Sequence, residues 1–118
     1  HCYKATCYAT TRLLVDVLKI PADKFSTCFQ SRLGRDPWLT PYTDHVIETL
    51  GKNGTKKLLV FSPAFVADCL ETTIEIGEEY LDLFKENGGE QLPLVPSLND
   101  NDDWVKGLLN IIKEKVSN

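Results

Sequence analysis

Four carboxylates, Asp68, Glu71, Glu75 and Glu79, fall within one stretch, 62–80, which reads S-P-A-F-V-A-D-C-L-E-T-T-I-E-I-G-E-E-Y. On a regular α-helix the three glutamates stand at i, i+4 and i+8 and share a face. Between Asp68 and Glu90 the chain carries eight acids and a single base, Lys85. Like charges at i, i+4 repel, so a helix with such a row has water or a cation beside it. Carboxylate oxygens suit a fairly hard divalent ion that must be released again, whereas thiolates would hold it too firmly. The same spacing also has a plainer reading. Asp68 and Glu71, three apart at the start of an apolar-periodic segment, fit a capping box, and Glu75, Glu78 and Glu79 fit a solvated helix face.

The elements that would position this row follow from periodicity. Leu58-Leu59-Val60-Phe61 is a continuous apolar run, which predicts a strand covered on both faces; the chain turns at Pro63 into a long helix that stops near Asn87-Gly88-Gly89. Leu70, Ile74, Leu81 and Phe84 repeat at helical spacing and predict its buried face. Upstream, Lys4 to Leu18 reads as a first helix ended by Pro21, and Lys24 to Gln30 alternates as a strand. A loop with Gly34 and Pro37 leads to Thr40-Pro41, a plausible cap and first residue of a helix running to about Lys52. Gln91 to Val95 reads as a third strand, at an edge because Pro93 lacks an amide; Asn99 or Asp100 then caps a last helix striped by Trp104, Leu108, Leu109, Ile111 and Ile112. Strands alternating with helices predict an α/β fold: a doubly wound parallel sheet of about three strands flanked by helices. In such sheets ligands bind beyond the carboxyl ends of the strands. Gln30-Ser31, Ser62-Pro63 and Ser97-Leu98-Asn99 all begin there.

Composition narrows the partners. The 118 residues make one small domain with a net charge of −4 and scattered basic residues, Lys56-Lys57 being the only adjacent pair. Phosphate binding needs a clustered basic surface, so nucleic acid is excluded as a partner. No apolar run approaches the roughly 20 residues that span a bilayer, and no signal peptide is visible. Cys2, Cys7, Cys28 and Cys69 have neither C-x-x-C nor zinc-like spacing, and a chain of this kind needs no disulfides, which predicts a reducing cytoplasm. Cys28 reads as a small buried strand residue, and His45 as a solvated residue at a helix start. With no methionine and His1 at its start, the chain is read as a fragment of a longer one.

Three motifs in order carry a resemblance. The segment P-A-F-V-A-D-C-L-E-T-T-I-E-I-G-E-E-Y resembles the ferrochelatase pattern of a strand, an A-F-x-x-D-x-x-E-T turn and an acidic helix. Residues 29–41, F-Q-S-R-L-G-R-D-P-W-L-T-P, resemble that family's Q-S-[KR]-x-G-x-x-P-W-L-x-P loop, and Ser97-Leu98-Asn99 resembles the S-L-N that opens its last helix. The resemblance implies that residues 1–118 are a single C-terminal chelatase-like domain whose N-terminal domain, a partner in the parent protein, is absent. It implies insertion of iron(II), as substrate, into protoporphyrin IX to form haem, the last step of haem biosynthesis. Glu71 would be the catalytic carboxylate; Trp38, Gln30, Ser31 and Pro37 would meet the porphyrin; and Asp68, Glu71, Glu75 and Glu79 would handle the metal. The family's S-A-H histidine motif is missing, so the isolated fragment is expected to be inactive. Many members have histidine where this chain has Cys69, and the family carries a π-type turn in this segment, a feature that often marks functional sites. Some members hold a [2Fe-2S] cluster, which leaves open a role for Cys2 and Cys7 in a larger ligand set. Peripheral contact with a membrane is also left open. Two alternatives stand beside this reading: a non-enzymatic divalent-metal-binding or interaction module, and a chelatase for another metal or tetrapyrrole. The Q-S-R-x-G-x-x-P-W-L loop counts against the first, because cation capture has no need of it.

Overall fold

The computed structural model describes residues 2–30 and 34–117. Ser31, one of the residues expected to meet a porphyrin, lies outside the described residues. The chain forms helix α1 (Tyr3–Leu18), a 3-10 turn (Ala22–Lys24), helix α2 (Thr43–Lys52), a π-helix (Glu71–Glu79) running directly into helix α3 (Tyr80–Glu86), and helix α4 (Asp102–Val116). Helix α1 ends at Lys19, in the left-handed region with φ 54°, and the Ile20 amide donates back to the Val15 carbonyl at 3.0 Å. Helix α2 starts two residues beyond the expected Pro41. The Pro41 carbonyl accepts the Phe29 amide at 2.9 Å, which keeps this segment extended and delays the first helical residue to Thr43. Helix α4 is capped by Asn101, whose side-chain oxygen accepts from the Asp103 and Trp104 amides, one residue past the expected Asp100 and two past Asn99.

The acidic segment departs most from simple periodicity. A regular α-helix buries positions at 3.6-residue spacing, which selected Leu70 and Ile74 for the core. Over Glu71–Glu79 the chain instead winds as a π-helix, whose wider turn closes i→i+5 hydrogen bonds. The phase changes accordingly. Thr72 and Ile76 are buried, while Leu70 is 74% exposed and Ile74 39%.

The expected doubly wound sheet of three parallel strands is overturned: the described chain is mostly helical and contains no sheet. Its extended segments meet only in isolated parallel bridges, Phe29 with Tyr42, Lys57 with Gln91, and Val60 with Leu94. The reason for the second and third lies in one residue. Leu58 donates to the Gln91 carbonyl and Gln91 to the Lys56 carbonyl; further on, Val60 donates to the Pro93 carbonyl and Val95 to the Val60 carbonyl. The bond that would join these two pairs runs from the amide of residue 93 to the Leu58 carbonyl, and Pro93 has no N–H to give. Segment 24–30 fails for a different reason. Only Phe29 pairs, and its partner is the nearby Tyr42.

The core is small and sits between α2, the π-helix and α3. Ile47, Ile76, Phe84 and Leu92 are buried, packed by Leu50, Leu58, Val60, Tyr80, Leu81, Leu83 and Leu94. Helices α2 and α3 approach closely enough that a Cβ at Gly51 would stand 2.9 Å from the Asn87 carbonyl. Beyond this nucleus the molecule spreads: its radius of gyration is 16.1 Å, against about 13.5 Å for a compact chain of this length. Helices α1 and α4 bury no residue fully, and Val105, Leu108, Leu109, Ile111 and Ile112 of α4 are each 41–52% exposed. Gly89 marks the tightest point of the core, since a Cβ there would drive into the ring of the fully buried Phe84. Gly89→Ala should therefore destabilise the fold by about 1–3 kcal/mol, the usual cost of overpacking. A urea unfolding curve measures this, and an unchanged midpoint would contradict the packing described.

Candidate functional site

The site is built around Gln30, which ends the extended segment after α1. Its backbone carbonyl accepts the indole N–H of Trp38 at 2.8 Å. Its side-chain amide donates to the Glu71 backbone carbonyl at 3.0 Å and to Glu75 Oε2 at 3.2 Å. Both of these partners are pure acceptors, so the amide must present its NH2 group to them. One residue thus joins the loop that carries Pro37 and Trp38 to the first turn of the π-helix. Trp38 is 42% exposed and offers a broad apolar face to solvent.

Glu75 is held from the other side as well. Tyr80 Oη donates to Glu75 Oε1 at 2.7 Å. The contact is a product of the winding. In an α-helix residues i and i+5 point about 140° apart, whereas in the π-helix they are consecutive rungs, and the Tyr80 amide bonds the Glu75 carbonyl. Burial first, and then the Glu75 carboxylate beside it, push the Tyr80 hydroxyl far above the ordinary tyrosine value. It therefore stays protonated and remains a donor. Sequence reasoning missed Tyr80, because a 3.6-residue period sets it apart from the acidic row; the i, i+5 spacing becomes a signal only once a π-helix is assumed.

Asp68, at the entrance to the π-helix, is engaged in a different way. Its backbone amide donates to Asn99 Oδ1 at 2.9 Å, while Asn99 Nδ2 donates to Asp68 Oδ2 at 2.9 Å. Asp68 Oδ1 accepts from the Ser97 amide at 3.1 Å and the Thr72 hydroxyl at 3.3 Å. The S-L-N turn is thereby clamped to the start of the acidic helix. Asn99 takes a positive φ of 48°, and its amide bonds the Val66 carbonyl at 2.8 Å. The Asn99 side chain, followed by the Ser97 amide, holds the Asp68 carboxyl below the usual aspartate range.

Glu71 and Glu79 are exposed. The Glu71 carboxyl turns back to its own backbone amide, with the Cys69 thiol as a second donor, and these keep its pKa below the ordinary glutamate value. It is an exposed carboxylate at neutral pH. Cys28 is half-buried and its thiol is pushed up by burial, against a hydrogen bond with Thr43. His45 is exposed, its ring edge-on to Tyr42 at 5.5 Å. Among the described residues Cys2, Cys7, Cys28 and Cys69 are free thiols, and no three His, Cys, Asp or Glu side chains gather to hold a metal ion. The described thiols do not fit the four-ligand set of a [2Fe-2S] cluster. A shallow depression lined by Leu81, Lys85, Glu90, Gln91, Leu92 and Pro93 shares no residue with this site.

The Trp38 indole is thus bonded to the Gln30 backbone, and the Gln30 side chain links that loop to the Glu75 carboxylate and the Glu71 backbone carbonyl. The ferrochelatase family model matches residues 1–116. The chain is 51% identical over 107 residues to the ferrochelatase of Pseudomonas fluorescens strain SBW25, covering 91% of this chain and 31% of that protein. It is 47% identical over 113 residues to the ferrochelatase of Bdellovibrio bacteriovorus, covering 96% and 34%, and 49% identical over 113 residues to that of Pseudomonas putida strain KT2440, covering 96% and 33%. The chain belongs to the ferrochelatase family and spans about a third of the length of the curated relatives it matches.

The Asp68 clamp predicts an acid dependence of stability. A carboxyl whose folded pKa is depressed stabilises the fold above its unfolded value, near pH 4, and that contribution fades as pH falls through the folded value. Asp68→Asn should lower the urea midpoint at pH 7, and the gap to wild type should narrow as pH drops below about 4. A gap independent of pH would show that the Asp68 charge takes no part in the clamp.

Proposed function

We propose that this chain is the C-terminal domain of a protoporphyrin ferrochelatase, forming one wall of the site in which iron(II) is inserted into protoporphyrin IX to make haem. The observation that carries the reading is the hydrogen-bonded unit from Trp38 through Gln30 to Glu71 and Glu75. Insertion requires iron(II) to lose water, two pyrrole protons to leave, and a flat macrocycle to bend toward the metal. Bending needs a firm apolar contact, and Trp38 supplies one, with its indole fixed in orientation by the Gln30 carbonyl. Proton removal needs an ionised base near the macrocycle. Glu71 is exposed, and its depressed pKa keeps it charged. Glu75 and Glu79 extend the negative row along which a divalent cation is drawn and released. Asp68, whose oxygens are engaged by Asn99, Ser97 and Thr72, braces the start of that row and adds its charge to the metal path. A plain cation-binding module would not need the Trp38 loop tied to the carboxylates.

The partners follow from the same surfaces. The exposed apolar stripe of α4 and the spread shape support docking against an N-terminal domain of the parent protein. That domain would complete the cleft, and without it the chain is inactive. No helix among the described residues is long and apolar enough to cross a membrane. Four free thiols support a reducing cytoplasm, and a hydrophobic tetrapyrrole supports peripheral membrane contact. The test is haem formation by the full-length enzyme. Glu71→Gln should lower kcat about 100-fold or more, the usual weight of a positioned acid–base group, with an unchanged circular dichroism spectrum. Near-normal activity would reduce Glu71 to a helix cap.

A further inference from the structure

We propose that Gln30 and Tyr80 are positioning residues for metal insertion, acting through Glu75, whose carboxylate they fix and tie to the Trp38 loop. The inference rests on the ferrochelatase reading above and assigns Gln30 a task other than touching the porphyrin. A glutamate on an open helix face samples several rotamers. Glu75 is half-buried and has one donor on each oxygen, Tyr80 Oη at 2.7 Å and Gln30 Nε2 at 3.2 Å. Each carboxylate oxygen accepts about two hydrogen bonds, so both retain capacity for a cation or a proton. The result is a charge already in place when the metal arrives, which saves reorganisation during the reaction.

Gln30 does more than hold one oxygen. Its backbone receives the Trp38 indole N–H while its side chain reaches the Glu71 carbonyl and Glu75. A flat ligand resting on Trp38 is thereby registered against Glu75 through a single residue. Tyr80 acts from below, and only the π-winding brings it there. Neither residue has to touch substrate. Both work by narrowing where Glu75 can be.

The experiment is a double-mutant cycle on iron insertion by the full-length enzyme. Tyr80→Phe keeps the ring and removes only the donor, and Gln30→Ala tests the second arm. Each should lower kcat about tenfold, the scale of one hydrogen bond to a charged group, with KM for porphyrin changed less than about twofold. In a Glu75→Ala background neither should cost anything further. Fully additive losses, an unchanged kcat, or a rise in KM alone would overturn the proposal. A wild type that inserts iron and a Glu71→Gln variant that does not would leave the functional reading standing in that case. A full-length wild type without insertion activity would overturn both.

Discussion

The Glu75 carboxylate, caught between Tyr80 and Gln30, is the interaction on which the rest of the site depends. It exists because the backbone from Glu71 to Glu79 closes five-residue rather than four-residue turns. That winding stacks Tyr80 beneath Glu75, buries Thr72 and Ile76, and leaves Glu71 and Glu79 in water. A wide turn is a costly way to wind a helix, and it persists where surrounding contacts hold it. Here those contacts come from both ends: the Asp68–Asn99 clamp at the entrance, and α3 packed on α2 through Gly51 at the exit.

The same constraint explains the division of labour among the carboxylates. Asp68 is committed to the S-L-N turn and Glu75 to Tyr80 and Gln30, while Glu71 and Glu79 are exposed. Acids that look equivalent in the sequence thus hold different environments. This also limits the repulsion that a bare acidic row would suffer, since neutral donors reach the Asp68 and Glu75 carboxylates.

Part of the candidate site's hydrogen-bonded unit falls on residues that the sequence motifs single out; the fold was less legible. The motifs single out Trp38, Gln30 and Glu71; the Gln30 side chain meets the Glu71 backbone carbonyl rather than its carboxylate, and the Trp38 indole bonds the Gln30 carbonyl. Tyr80 was invisible because α-periodicity places it on another face, and the same assumption sent Leu70 and Ile74 to a core they do not enter. The sheet was misread for a local reason. Alternation and apolar runs located the extended segments correctly around 57–60 and 91–94, but a ladder also needs an amide at every second position, and Pro93 interrupts it. Segment 24–30 has the side-chain pattern of a strand without a neighbouring strand to pair with, only the nearby Tyr42. The ends of α1, α2 and α4 were read to within two residues, with errors where a capping side chain or carbonyl was already engaged, as with Pro41 and Asn99; the acidic helix starts at Glu71, eight residues beyond the expected turn at Pro63.

The most direct test of this account is a crystal structure of the full-length protein, read at residues 71–80. The account predicts a Tyr80 amide bonded to the Glu75 carbonyl, with Tyr80 Oη and Gln30 Nε2 each within about 3.2 Å of the Glu75 carboxylate. A segment wound with i→i+4 bonds, its Tyr80 turned about 140° away from Glu75, would contradict it.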